Sequence, residues 1–295
     1  MRIIFFGTSE FAVPALKTLV ANGYELIAVI TMPDQPAGRK KIITPPPVKI
    51  LAEKLGLKVL QPESLKKDPT FFEEFTAINA DLAVVVAYGN IIPQQYLDSI
   101  PKGFLNIHPS LLPKYRGPTP IQTAILNGDE TSGVTIIKLD AGMDSGPIIT
   151  SHEIKIIGHE SYKEVHDKLA ELGARLLVET IPKYMSGEIE PQEQNEKQAT
   201  ITKKYTREDG RIDWQKTPLE IYDQIRALNP EPGTWTKWHD RILNIRSAEL
   251  ADQTQINTET KQKIIIKTLQ LAGKKETSLE EFLHGHPDFD ISQLN

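Results

Sequence analysis

Leu82-Ala-Val-Val-Val-Ala87 is an unbroken apolar run with three valines in succession. A run this short and this rich in β-branched residues reads as a strand. With no polar alternation, it is a strand buried on both faces, as in the middle of a parallel sheet covered by helices. Outward from it, Arg2–Phe6, Leu26–Thr31, Lys58–Leu60 and Phe104–Ile107 have a similar short apolar make-up, and Phe11–Asn22, Pro47–Gly56 and Asp68–Ala77 have helical spacing and length. Alternation of this kind is the pattern of parallel βαβ units. Two later strands, Gly133–Leu139 and Pro147–Ile156, lead into a long helix. There Val165, Leu169, Leu172 and Leu176 recur at i, i+4, i+7 and i+11 and supply one face for the sheet. The expected fold is α/β, with a Rossmann-like, mostly parallel sheet over residues 1–186.

The 295 residues exceed one usual domain. The polar stretch 187–204, with Pro191 and a run of Glu, Gln, Asn and Lys, reads as a linker, and 205–295 as a small, mainly β domain. The net charge of −5 argues against indiscriminate coating of nucleic acid. From Lys203 to Lys275, however, 14 Lys and Arg face 10 Asp and Glu, a local excess of +4. No cysteine is present, which removes disulfides, thiolate zinc sites and a cysteine nucleophile together. No run of 18 apolar residues and no signal peptide are seen, so a cytoplasmic protein without membrane contact is expected.

Open parallel sheets bind ligands at the carboxyl ends of their strands. In Phe104-Leu-Asn-Ile-His108-Pro, Asn106 and His108 are two apart and point to one side of the sheet. An amide donor beside an imidazole suits a reaction that builds negative charge on an oxygen. Asp144, in the glycine-flanked loop Asp140-Ala-Gly-Met-Asp144-Ser-Gly146, is the carboxylate best placed to orient the histidine. The alternative is structural: a His-Pro that turns the chain and an aspartate that caps a loop. Other features count for less. His166 falls on the expected wet side of its helix, and Ser64–Lys67 matches S-x-x-K only by letter. Gly7-Thr-Ser lacks the further glycines of a dinucleotide fingerprint, and no Walker A motif is present.

Asn106-Ile-His108-Pro-Ser110-Leu111-Leu112-Pro113-Lys-Tyr-Arg-Gly117, followed by the Asp140–Gly146 loop, resembles the signature of the 10-formyltetrahydrofolate-dependent formyltransferases. The resemblance covers nearly the whole chain and is closest to the branch that formylates initiator methionyl-tRNA. It implies 10-formyltetrahydrofolate as co-substrate, no metal, and Asn106, His108 and Asp144 as the catalytic positions. Ser110, Leu111, Leu112 and Pro113 would form the folate segment, with Tyr88 and Gly89 on the pocket wall. Pro33–Lys49, with five prolines and four basic residues against one acid, is similar to the family's tRNA-entering insertion, which implies tRNA contacts by Arg39, Lys40 and Lys41. Arg211-Ile-Asp-Trp214, Arg226-Ala-Leu-Asn-Pro230 and Pro232-Gly-Thr-Trp235 resemble the family's OB-like C-terminal barrel. The short, polar stretch between Ala248 and Lys263 suggests a barrel lacking a hairpin.

The implied chemistry is direct attack of the methionyl α-amine on the formyl carbon by a monomeric enzyme, without an acyl-enzyme. Asn106 and His108 would stabilise the negative oxygen, His108 would relay a proton, and Asp144 would hold His108. A sugar-nucleotide amine or water as acceptor, and a non-catalytic RNA-binding protein, are the alternatives.

Overall fold

The computed structural model describes residues 1–38, 41–252, 262–291 and 294. The chain divides into two compact units. The first comprises 1–117, 133–154 and 166–201, and the second 118–132, 155–165 and 202–295.

The first unit carries a seven-stranded sheet. Its strands are β1 (Arg2–Gly7), β2 (Glu25–Ile30), β5 (Val59–Leu60), β6 (Leu82–Val86), β7 (Phe104–His108), β8 (Thr131–Lys138) and β9 (Ile148–Lys155), in the order β5-β2-β1-β6-β7-β8-β9. β5, β2, β1, β6 and β7 run parallel, and β8 joins β7 antiparallel. The Leu82 run is the central strand its composition requires, buried at every position. Between the parallel strands lie α1 (Val13–Ala21), α2 (Pro47–Lys54) and α3 (Pro69–Ala77), followed by a short α4 (Gln94–Leu97). Each of the first three has proline in its first turn, where no N–H is missed. α3 is further fixed by Asp68, whose side chain accepts from Phe71 N at 3.0 Å. The long helix α6 (Tyr162–Ser186) buries Val165, Leu169, Leu172 and Leu176 as their spacing requires. One core cluster joins Phe6, Phe75, Tyr88, Tyr96 and Phe104.

The Pro33–Lys49 segment contains a small antiparallel hairpin, in which β3 (Gln35–Ala37) pairs with β4 (Ile42–Thr44). Its base is held by Lys49, whose Nζ lies 2.8 Å from Asp34, and by Gln61, which donates to Asp34 and to Met32 O. His166 is buried, not wet, and meets the ring of Phe11 edge-on at 5.2 Å.

The second unit is a small antiparallel sheet, β10 (Thr234–Trp238), β11 (Arg241–Asp252), β12 (Gln262–Leu271) and β13 (Thr277–Ser278), in that order. Arg211 adds an isolated parallel bridge to Trp235. The stretch read as a missing hairpin is partly ladder: β11 and β12 pair as far as Asp252 and Gln262, and residues 253–261 lie outside those described. α5 (Pro120–Leu126) and α7 (Pro218–Leu228) belong to this unit and pack together, with α8 (Leu279–Gly285) near the end. α7 opens with a reciprocal Thr217–Glu220 capping box and covers a core of Ile225, Leu243, Ile245, Ile266 and Leu269.

Candidate active site

The strand order reverses between β1 and β6, where an open α/β sheet opens a crevice at the strand ends. Thr8 ties that point together: its hydroxyl donates to Tyr88 O at 2.6 Å and accepts from Met32 N at 3.3 Å. Gly7 is needed for packing, since a Cβ there would lie 2.6 Å from the Phe5 ring and 2.9 Å from Ala12. That accounts for a glycine at this turn with no dinucleotide fingerprint after it.

Asn106 and His108 lie one strand further along, on β7, and are 8 % and 4 % exposed. Among the described residues the Asn106 carboxamide has no hydrogen-bond partner, so its two N–H donors are uncommitted. His108 is held on both sides. Its Nε2 lies 2.9 Å from the carbonyl of Tyr115, and a carbonyl only accepts, so Nε2 carries the proton. Nδ1 therefore faces Asp144, whose Oδ2 is 3.6 Å away. That is beyond a hydrogen bond but within reach of an ion pair, and such catalytic contacts commonly tighten when ligands bind. Oδ2 also accepts from Gly117 N at 2.8 Å.

The loop between β8 and β9 separates its two aspartates. Asp140 is exposed and turns back on its own loop, accepting from Gly142 N and from Ser145 Oγ, each at 3.0 Å. Asp144 adopts φ +50° and aims its carboxylate at His108. Gly146 closes the loop so tightly that a Cβ would collide with the carbonyl of Lys138.

The Ser110–Pro113 segment is folded back on the sheet. Thr135, the cross-strand neighbour of His108, donates to Ser110 O at 2.7 Å and accepts from Leu112 N at 3.0 Å. Ser110 Oγ donates to Lys114 O, Leu112 is buried, and Leu111 packs over Gly133, where any Cβ would displace it. Tyr88 does not offer its side chain to a ligand. Its ring is 2 % exposed, packed edge-on against Phe6, and burial pushes its hydroxyl up to about 12. Only its backbone and the exposed Gly89 can line a pocket, beside Ile91, which is 85 % exposed. Lys41 sits exposed in the turn just before β4, while Arg39 and Lys40 lie outside the described residues. Ser64 accepts from the backbone N–H of Lys67, a turn bond that leaves the S-x-x-K letters without chemistry.

Sequence reasoning missed the residues behind the trio. Residues 192–201, expected as linker, are pinned along their course. Gln192 exchanges two backbone bonds with Ile148, Thr200 Oγ1 accepts from Tyr115 N at 2.8 Å, and Thr200 O accepts from Arg116 N at 2.8 Å. Gln194 donates to Asp144 O at 2.7 Å and Gly146 O at 2.8 Å. Its Oε1 accepts from Arg116 Nε and Nη2, and Arg116 grips Glu196 with two further bonds. The guanidinium holds the Glu196 carboxyl below the usual glutamate range, so this pair stays ionised at neutral pH.

The Rossmann-like sheet thus carries, at the end of a strand beside its switch point, an uncommitted amide donor and a histidine–aspartate pair, a set suited to acyl-group transfer. Two family models match the chain, described as formyl transferase over residues 1–181 and as formyl transferase, C-terminal domain, over 204–287. The chain belongs to the methionyl-tRNA formyltransferase family: the enzyme of that name from Chloroflexus aggregans is 49 % identical over 85 % of this chain and 81 % of its own. The enzyme of that name from Bacillus pumilus is 41 % identical over 96 % and 94 %. In fold, the chain is similar to methionyl-tRNA formyltransferase from Clostridium thermocellum, with a TM-score of 0.61 at 20 % identity over 92 % of this chain and 98 % of that one.

Proposed function

We propose that the chain transfers the formyl group of 10-formyltetrahydrofolate to the α-amine of initiator methionyl-tRNA, with Asn106, His108 and Asp144 as the reacting constellation. The names of its relatives supply the reaction. The observation that carries the site assignment is the uncommitted Asn106 carboxamide beside a histidine already oriented from both sides.

The co-substrate supplies an electrophilic formyl carbon. The residues present fit such a group: Asn106 has donors to spare, and Gly89 and Ile91 are exposed just beyond β6, the strand beside β7. Asn106 donates to the formyl oxygen where negative charge develops as the amine attacks. His108 supports that charge and, with Nε2 exchanging the Tyr115 carbonyl for the substrate, shuttles the proton that must leave the amine and reach the departing nitrogen. Asp144 steadies the imidazolium through Nδ1. No side chain is acylated, in keeping with a chain that has no cysteine. Lys41, with Arg39 and Lys40, would meet tRNA phosphates.

Asn106→Ala tests the assignment. With circular dichroism and melting unchanged, kcat is expected to fall about 10²–10³-fold, the usual loss for one oxyanion donor. Turnover within threefold of the parent would overturn the role of Asn106.

A further inference from the structure

One buried polar arrangement that the trio itself leaves unexplained is the Gln194 carboxamide. Gln194 is 8 % exposed, and every polar position on its side chain is used. Its Nε2 donates to the carbonyls of Asp144 and Gly146, two residues apart, so it clamps the backbone on either side of Ser145. Its Oε1 takes two N–H groups of Arg116, and Arg116 is the residue between Tyr115 and Gly117. Tyr115 supplies the carbonyl on His108 Nε2, and Gly117 supplies the N–H on Asp144 Oδ2. One side chain thus joins the loop that carries the aspartate to the loop that orients the histidine. Asp144 sits at φ +50°, the left-handed region that few residues other than glycine, asparagine and aspartate adopt. The bond from Gln194 to its carbonyl is a direct restraint on that conformation.

We propose that Gln194 is a positioning residue for formyl transfer, fixing the backbone of Asp144 so that its carboxylate faces His108. This rests on the assignment of Asp144 above. Arg116 and Glu196 orient Gln194: the bidentate Arg116–Glu196 pair fixes the guanidinium plane that Oε1 accepts from. Glutamine suits the place because one planar group must present two donors to carbonyls and an acceptor to a cation at once. Neither Glu nor Met meets that demand at neutral pH.

The test is a double-mutant cycle on the full-length protein, with Gln194→Met, Asp144→Asn and the pair. A misplacement of this kind costs about 10–100-fold in rate. Gln194→Met is therefore expected to lose about that much in kcat, with KM for both substrates within about threefold. In the Asp144→Asn background the same change is expected to cost less than about threefold, because the carboxylate that Gln194 aims is already gone. A full multiplicative loss in that background, or an effect on KM alone, would overturn the proposal. Should Gln194→Met fail to fold, Glu196→Gln takes its place. Glu196 is exposed, and its change is expected to lower kcat several-fold by loosening Arg116; unchanged kcat would overturn the proposal. If Asp144→Asn itself retains parental turnover, the assignment of Asp144 has failed. If Asp144→Asn is impaired and Gln194→Met is not, only the role of Gln194 has failed.

Discussion

Asp140 and Asp144 stand four residues apart in one glycine-rich loop, and their different fates show what a residue's letter leaves open. Asp140 spends both oxygens on its own turn, whereas Asp144 directs Oδ2 at His108 and Gly117. Asp144 does so from a left-handed conformation that costs an ordinary residue roughly 1–2 kcal/mol. Asparagine tolerates that conformation and its Oδ1 can still accept from Gly117, so Asp144→Asn separates charge from geometry. We expect it to lose about 10²-fold or more in kcat with an unchanged melting temperature, while Asp144→Ala loses as much and also melts earlier. Asp140→Asn keeps the turn bonds and should stay within a few-fold of the parent. Equal losses at both positions would contradict the division of labour. That Asn106 and His108 share one side was legible, because i, i+2 spacing on a strand fixes it. The trio's restraints were not, because a carbonyl such as that of Tyr115 has no letter of its own.

Among elements, the parallel strands could be read from composition because a strand buried on both faces has no room for polar residues. The β3–β4 hairpin could not. Its prolines and lysines mimic a coil, and its two isoleucines, Ile42 and Ile43, are largely exposed and form no apolar face. Residues 192–201 escaped for a related reason. They have no periodicity, and their hydrogen bonds run to partners such as Arg116 and Ile148 that are remote in sequence. The β8–β9 loop shows how narrow the tolerance is. At Gly146 a methyl group would run into the Lys138 carbonyl, so Gly146→Ala must shift the loop that carries Asp144. A displacement near 1 Å costs about 10²-fold in rate. We expect a loss of about that size, together with a lower melting temperature. Parental turnover and melting would show that the loop is more yielding than its packing suggests.

For the whole molecule, charge distributes the work. The chain is acidic overall, yet Lys203–Lys275 carries an excess of basic residues, and Arg39, Lys40 and Lys41 are consecutive in sequence. If these meet tRNA phosphates, changing all three to alanine should lower the slope of log affinity against log salt. The expected decrease is about 0.7–0.9 for each phosphate no longer neutralised; an unchanged slope would remove the segment from the interface. Within the second unit, Asp209 pairs with Lys203 and accepts from Thr206 N and Oγ1, which together lower its carboxyl to about 2. A carboxyl lowered on folding contributes stability above its unfolded value of 3.8, and that stability is lost as pH falls toward about 2. Asp209→Ala should therefore cost about 1–2 kcal/mol in denaturant unfolding at pH 7, and the gap to the parent should narrow between pH 4 and pH 2. A gap independent of pH would contradict the ionic origin of the effect. The central claim concerns which amine receives the formyl group. The purified protein is given formyl-labelled 10-formyltetrahydrofolate with initiator methionyl-tRNA, with an amino-sugar nucleotide, or with buffer alone, and the labelled product is identified. The account predicts label on the methionyl amine and only background release without tRNA; label on the sugar, or free formate as the main product in every arm, would contradict it.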